Sequence, residues 1–263
     1  MHLHVHSQYS LLDGKCTIKG MVNRAIELGM PGIALTDHGN MFGIKEFYNY
    51  VEGVNSKRVE GDKFKPILGC EMYCVTDDLT ERKSRGYHLI VLAKNSVGYH
   101  NLIKLVSKAW VDGFYYVPRT DHRELEKHHE GLIVLSACLG GELPKLITAG
   151  NIEEAEKTAR WFQNVFGDDY YLELQRHKTD KPNANTEAYP LQCEVNKVLL
   201  EFSKKLGIKV VATNDVHFEK EDDAEAHDRL ICISTQKRFN EPRMHYSKQE
   251  WLKSTEEMTE IFS

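Results

Sequence analysis

The alternation of histidine with apolar residues at the start of the chain constrains the fold more than any other feature. The segment His2-Leu3-His4-Val5-His6 has the period of two of a β-strand, which predicts that its histidines share one face and Leu3 and Val5 the other. An edge strand or a tag remnant is the alternative, but a tag would not interleave leucine and valine. Histidine is the commonest metal ligand, and Asp13 follows in the same stretch. This segment is therefore predicted to bind metal, with further ligands supplied from elsewhere.

Length and composition are those of an ordinary globular protein. The chain has 263 residues, of which 41% are hydrophobic and 28% charged, and α/β barrels of this length often form one domain. Six cysteines without regular spacing predict reduced thiols in a cytoplasmic protein. No secretion signal and no membrane span are expected. The net charge of −5 excludes binding to nucleic acid by bulk charge, so any such contact should be local.

Helical and strand patterns alternate along the chain. No linker rich in Pro, Gly or Ser divides residues 1–263, which are expected to form a single domain of a longer protein, with the last 40 or so residues as a helical extension. The alternation predicts a parallel sheet, closed or distorted into a barrel of the (βα) type. Helices are predicted near 17–28, 43–55, 96–110, 141–149, 152–166 and 189–206, and strands near 33–35, 66–75, 87–94, 132–135, 170–177 and 208–212.

Candidate metal ligands follow the predicted strands. Barrels of this type carry their chemistry at the carboxyl ends of the strands, where His4, His6, Asp37, His38, Cys138, Asp215 and His217 all fall. Glu71 lies inside an apolar strand, where a carboxylate without a partner or a metal is costly.

Other conspicuous residues receive structural interpretations. Cys70 and Cys74 are predicted to be core thiols, and the stretch 77–86 is predicted to be a hairpin connection. His122 lies in the charged pattern TDHRELEKHHE and is predicted to be a solvated loop residue. The aromatic cluster Trp110, Phe114, Tyr115 and Tyr116 is interpreted as core or loop anchoring in preference to a stacking platform for bases.

Five motifs carry a family resemblance: HLHVHSQYSLLDG, TDHGNMFG, YHLIVLAKN, LSACLGGE and TNDVHF. In this order they resemble the polymerase and histidinol phosphatase (PHP) family. TDHGNMFGIKEFY, GYHNLIKLVS, YYLELQRH and DAEAHDRLICIST resemble the branch that forms the N-terminal region of the bacterial DNA polymerase III alpha subunit. The resemblance implies an α/β fold, a distorted (βα)7 TIM-like barrel with up to three divalent metals at the strand C-terminal ends. Because Met1 directly precedes His2, the first strand is expected to have lost a few residues.

The resemblance also implies the roles of individual residues. Asp13 and Cys138 stand where the free-standing phosphatases tend to have histidine, and a thiolate favours zinc over manganese. Arg176 and His177 are candidates to hold a phosphate, with a surface salt bridge as the alternative. Asp37 is expected to orient a ligand without binding metal, and His2 has no assigned ligand role. The implied metal ligands are His4, His6, Asp13, His38, Glu71, His88, Cys138, Asp215 and His217, with Asp215, Glu71 and Asp13 as the catalytic carboxylates.

The implied function is phosphoester hydrolysis with two or three divalent metal ions: zinc or manganese, or alternatively iron or magnesium. In the polymerase branch this fits 3′ to 5′ exonuclease proofreading at a DNA 3′ end. The implied partners are the remainder of the polymerase subunit and a proofreading subunit, and the chain itself is not expected to polymerise DNA. Three alternatives stay open: a structural, partner-binding domain stabilised by metal, a small-molecule phosphatase, and an amidohydrolase that shares the HxH start.

Overall fold

The computed structural model describes residues 1–76 and 78–263. Asp77, the first residue of the expected hairpin connection, lies outside the described residues. Within these ranges no helix is long and apolar enough to cross a membrane. The described strands are β1 (Gly32–Leu35), β2 (Lys65–Val75), β3 (Tyr87–Ala93), β4 (Arg119–Asp121), β5 (Leu132–Leu135), β6 (Tyr170–Leu174) and β7 (Lys209–Ala212). The described helices are α1 (Ile18–Glu27), α2 (Ile44–Asn55), α3 (Ser96–Val111), α4 (His122–Lys127), α5 (Glu142–Thr148), α6 (Ile152–Phe166), α7 (Ala188–Leu206), α8 (Ala224–Thr235) and α9 (Thr255–Phe262).

The sheet curls into a barrel that the first residues close. Its strands lie in the order β1, β2, β3, β5, β6 and β7, and β4 pairs with β2 outside this path. The segment 2–7 lies between the two ends: Thr36 N–H donates to Val5 O over 2.9 Å, and His6 N–H donates to Val216 O over 2.7 Å. This segment therefore completes a distorted (βα)7 TIM-like barrel, which confirms the predicted fold class.

The prediction of a parallel sheet is wrong at β3. This strand runs antiparallel to both β2 and β5, because β2 and β3 are joined directly as a hairpin, whereas a parallel pair needs a longer crossover. The reversal has a consequence for the site. His88 is the second residue of β3, yet that end of the strand meets the carboxyl ends of its neighbours, so His88 reaches the same rim as residues that follow the other strands.

The regular strand predicted for residues 2–6 is also wrong. A bend at Leu3 and His4 interrupts the alternation, so Leu3 packs with the barrel interior while Val5 joins the cluster around α1 and α2. His2 Nε2 lies 2.8 Å from Lys253 O, away from the other two histidines of the segment. The backbone remains paired on both sides, and His4 and His6 both point to the rim.

The inward side chains divide the barrel into two levels. Below lies an apolar layer that includes Ala34, Ile90 and Leu135. Polar residues lie on the same inner faces nearer the rim. Glu71 is one of them, because it stands opposite Ile90 in the register of β2 and β3 and therefore shares its face. The outer faces pack against the helices through a larger apolar cluster that contains Cys70 and Cys74 as buried thiols, as predicted. The rim is thus the polar end of an otherwise apolar barrel.

His122 is not a solvated loop residue. It begins α4, its Nε2 atom lies 2.9 Å from Glu142 Oε2, and its ring stacks on Trp161 at 4.0 Å. The sequence does contain a start signal for this helix, because aspartate is a preferred N-cap residue. In the structure Asp121 is the N-cap and accepts a hydrogen bond from Glu124 N–H over 2.8 Å. The charged pattern that follows belongs to the outer face of a short helix.

One buried arginine holds the hairpin connection that leads into β3. Arg119 is 1% exposed, and its guanidinium donates to the carbonyl oxygens of Leu79, Glu81, Ser84 and Gly113, each over 2.9 Å. Buried carbonyl groups need partners, and here a single side chain supplies them. The connection before His88 is thereby fixed to β4.

Replacing Arg119 with Met should lower the free energy of unfolding by about 3 kcal/mol, because it leaves several carbonyl groups without donors. Urea denaturation monitored by circular dichroism measures the change. The control is Arg160→Met on α6, where the exposed pair with Glu156 should contribute about 0.5 kcal/mol or less. Equal losses in the two variants would contradict the role assigned to Arg119.

Candidate metal centre

Glu71 stands at the centre of the rim, and each of its oxygens faces a different pair of histidines. Oε1 lies 2.7 Å from His88 Nδ1 and 3.5 Å from His4 Nε2. Oε2 lies 2.7 Å from His38 Nδ1 and 3.1 Å from His6 Nε2. The residue is 1% exposed. A carboxylate arranged in this way can bridge two cations.

Asp215 places a second carboxylate beside His4 and His6. Its Oδ1 atom lies 3.0 Å from His4 Nε2 and 3.3 Å from His6 Nε2. The backbone at Asp215 is left-handed, with φ +48°, a conformation that is uncommon for a residue other than glycine and that concentrates at functional sites. The loop after β7 therefore holds a strained residue where its carboxylate meets the two histidines.

A third group of ligand-type residues lies beside the first two. Asp13 Oδ2 is 2.8 Å from His38 Nε2 and 3.2 Å from His217 Nε2. The opposite side of Glu71 is closed by Cys138, whose Sγ atom lies 3.5 Å from His88 Nδ1 and 4.0 Å from Glu71 Oε1. The structure thus gathers the nine implied ligands, Glu71 and eight others, at one rim.

Unpartnered atoms test whether these residues fit metal ions. Among the described residues, His38 Nδ1, Glu71 Oε2 and Asp215 Oδ1 are buried and form no hydrogen bond. His38 Nδ1 and Glu71 Oε2 are close but not aligned as donor and acceptor, so their lone pairs are free for a cation. Ligand atoms within 4.8 Å of one another occur in three sets: His6, His38 and His217; His4, His6 and Glu71; and His38, Glu71 and His88. The residues fit two or three divalent cations.

Electrostatics keep the carboxylates of the centre ionised. Burial opposes ionisation of Glu71, but His88, His38 and His4 hold its pKa well below the usual range. Burial likewise opposes the charge on Asp215, yet His4 and His217 hold its pKa well below the usual value. Burial would lower the pKa of His217, whereas Asp13 and Asp215 raise it to about 9. Protons on His4, His38 and His217 therefore compensate the carboxylates, a role that bound cations would take over.

Two acidic residues orient His6 and His4 on the side away from Glu71. Asp37 Oδ1 accepts from Ser10 Oγ over 2.8 Å, and Ser10 Oγ lies 2.9 Å from His6 Nδ1. Glu173 Oε1 lies 2.7 Å from His4 Nδ1. Such partners set the tautomer and the orientation of ligating imidazoles. Sequence reasoning missed Glu173, although its alternation with Tyr171 and Gln175 marks an inward face of β6.

Residues that follow β7 hold Asp13. Tyr246 O–H donates to Asp13 Oδ1 over 2.9 Å, and His227 Nε2 lies 2.9 Å from the backbone oxygen of Asp13. Sequence reasoning missed both, because no local pattern places residues so far along the chain beside its start.

The two candidate phosphate-binding residues separate in the structure. His177 is buried, lines the cavity over the centre, and contacts Gln192 Nε2 through Nδ1 over 3.1 Å. Arg176 donates to Tyr189 Oη over 3.0 Å and does not line that cavity. The cavity has a volume of about 240 Å³ and is also lined by His38, His88, Cys138, Asp215 and His217.

A family model decides the relationship of this chain to known proteins. The model described as the PHP domain matches residues 2–177. The chain belongs to the PHP family. The matched part of this PHP chain carries His4, His6, Asp13, His38, Glu71, His88 and Cys138, whereas Asp215, His217 and Tyr246 lie beyond it.

Related proteins narrow the branch of the PHP family. The chain is 43% identical over 270 residues to DNA polymerase III subunit alpha of Borreliella burgdorferi and of Treponema pallidum. All of this chain is covered in both, but it spans only 22% of each relative. An amidohydrolase structure from Chromobacterium violaceum is 14% identical, with a TM-score of 0.50 over 82% of this chain and 87% of that one. This likeness concerns the fold alone.

Replacing Tyr246 with Phe should weaken one metal site and spare the others, because it removes the hydroxyl that contacts Asp13 Oδ1 and, at 3.3 Å, His217 Nε2. We expect the affinity of the weakest-bound cation to fall by about 10- to 100-fold. Isothermal titration with zinc, together with metal analysis of the dialysed protein, measures the effect. The control is Tyr50→Phe, which removes a surface bond to Asn23 and should leave binding unchanged. Loss of all sites in the Tyr246 variant would point to unfolding instead.

Proposed function

We propose that this PHP domain is a metal-dependent phosphoesterase that removes nucleotides from the 3′ end of DNA, in the 3′ to 5′ direction. The observation that carries the proposal is the Glu71 carboxylate, whose two oxygens face two separate histidine pairs. Paired cations about 3.5–4 Å apart, held by a bridging carboxylate, are the usual arrangement for hydrolysis of phosphate esters. Asp215 and Asp13 supply one further carboxylate to each side.

The residues of this chain would position the substrate and the cations. When bound, divalent cations supply an activated water and neutralise charge on the phosphate and the leaving oxygen. Glu71, Asp215 and Asp13 would hold the cations, and Cys138 would supply a thiolate, which favours zinc. His177 presents a buried imidazole in the wall of the cavity, within reach of an entering phosphate. Arg176 would act only after a change of rotamer, since Tyr189 engages it.

The size of the cavity supports a strand end as the substrate. At about 240 Å³ it is smaller than the roughly 300–1,000 Å³ of pockets that enclose whole small ligands. Such a cavity would take the terminal phosphate of a strand while the rest of the polymer stays outside it. The relatives are replicative polymerase subunits, so we propose DNA as the polymer, with the remainder of the alpha subunit and a proofreading subunit as protein partners.

The replacement Asp215→Asn tests the catalytic proposal. It keeps the size of the side chain but removes the charge beside His4 and His6, so cleavage should fall by at least about 100-fold while the barrel stays folded. The assay is manganese-dependent release of mononucleotides from the 3′ end of single-stranded DNA. Circular dichroism checks the fold, and metal analysis records the remaining cations.

The matched control is His100→Ala. His100 is an exposed histidine of α3 that bonds its own helix through Ser96 O, so the variant should cleave at the unmodified rate. Unmodified cleavage by Asp215→Asn would refute the mechanism. A metal-loaded chain that cleaves only small phosphomonoesters would be a small-molecule phosphatase, and one that cleaves no ester would have a structural metal centre.

A further inference from the structure

Four aromatic side chains form an exposed strip on the surface beside the rim, here named the aromatic strip. Phe42 is 55% exposed, Trp110 40%, Phe114 45% and Tyr116 67%. The interpretation of the 110–116 cluster as core is wrong for Trp110, Phe114 and Tyr116, which are exposed. Large apolar side chains are normally scattered singly on a surface, and a contiguous group marks a binding site.

The rings of the aromatic strip follow one another closely. Phe42 and Trp110 have ring centroids 5.6 Å apart, and Trp110 and Phe114 are also 5.6 Å apart. Tyr116 lies two residues beyond Phe114, and its ring packs edge-on against Tyr115 with centroids 4.6 Å apart. The backbone at Tyr116 is left-handed, with φ +62°, so the loop holds this ring outward at some conformational cost. Flat, exposed rings in series are the platforms on which single-stranded bases stack.

The aromatic strip begins next to the metal centre. Trp110 Nε1–H donates to Gly39 O over 2.8 Å, and Gly39 directly follows His38. Gly39 N–H donates to Glu71 O over 2.8 Å. Gly39 itself is closely packed: its φ is +63°, and a Cβ at this position would lie 2.7 Å from Pro118 Cγ. A polymer lying on the aromatic strip would therefore have one end within reach of the cavity.

Unpaired positive charge borders the aromatic strip. The Arg85 guanidinium lies 5.1 Å from the centre of the Tyr116 ring. Arg82 acts electrostatically on Arg119, whose guanidinium lies 5.2 Å from the centre of the Tyr115 ring, so Arg82 lies in the same neighbourhood. Within residues 1–76 and 78–263, neither Arg82 nor Arg85 is in a salt bridge. Lys45 lines the groove between Phe42 and Trp110. The chain as a whole carries −5, so this is a local basic border on an acidic protein, as a polyanion site requires.

We propose that the aromatic strip, with Arg82 and Arg85, binds single-stranded DNA and leads its 3′ end to the metal centre. The proposal rests on the function proposed above, because it names the path of that substrate. Bases stack on the rings, and phosphates meet the guanidinium groups. A protein partner would use the apolar rings equally well, but it would not need a position beside the metal centre.

The experiment measures binding apart from cleavage. The probe is a fluorescein-labelled oligothymidylate with phosphorothioate linkages, which resists hydrolysis, and its anisotropy is followed with the 263-residue chain. The double variant Phe114→Leu, Tyr116→Asn keeps apolar area at one position and a residue that tolerates a positive φ at the other. Its dissociation constant should rise by roughly five- to 150-fold for each stacked base lost. The control is Tyr48→Leu, an exposed tyrosine of α2 outside the aromatic strip.

Two further measurements separate this inference from the proposed function. Arg82→Gln and Arg85→Gln should each reduce the salt dependence of binding by about 0.7 in the log–log slope. Hydrolysis of bis-p-nitrophenyl phosphate, which has no bases, should be unchanged in all strip variants. Strip-dependent DNA binding without any hydrolysis would overturn the proposed function alone. DNA binding that is absent, or that the strip variants leave unaltered, would overturn the inference. If the strip variants instead fail to associate with other segments of the polymerase, the aromatic strip is a protein interface.

Discussion

The structure depends on one buried carboxylate that touches four imidazoles. Burying the Glu71 charge at 1% exposure is costly unless opposite charges surround it. His4 and His38 meet that requirement, because burial is outweighed by neighbouring carboxylates that hold both pKa values well above the usual value. His6 and His88 contact the same carboxylate from other directions. Removing Glu71 would leave these imidazoles crowded, with less negative charge to compensate them. The carboxylates and imidazoles of the rim therefore stabilise one another, through protons on the imidazoles or through bound cations. Burying either kind of group without the other would be costly.

The architecture of the barrel explains how so many ligands converge. Parallel strands deliver residues at their carboxyl ends, which places His38, Cys138 and Asp215 on one rim. Reversing β3 brings the start of that strand to the same rim, so a ligand can also precede a strand. The irregular segment 2–7 closes the barrel through backbone bonds to both neighbours while its side chains point upward. The helices α1 and α2 pack outside and leave the rim open to solvent.

Local signals in the sequence predicted the elements and most of the rim. Apolar periodicity located most of the helices, and the polar residues after strands identified His38 and Asp215, because both signals are encoded within a few residues. Features that depend on distant contacts were missed. His2 turns toward Lys253, His122 packs on Trp161, and Tyr246 bonds to Asp13. Each outcome is decided by partners 39 or more positions away in sequence, which no local pattern records.

The central claim is that Glu71 bridges metal ions held by the surrounding histidines. Anomalous diffraction from crystals grown with zinc or manganese, measured at the absorption edge of that metal, tests it most directly. The account predicts two or three peaks around the Glu71 carboxylate, two of them about 3.5–4 Å apart. An anomalous map with no peak at the rim, or with a peak only at a surface cysteine or histidine, would contradict this claim.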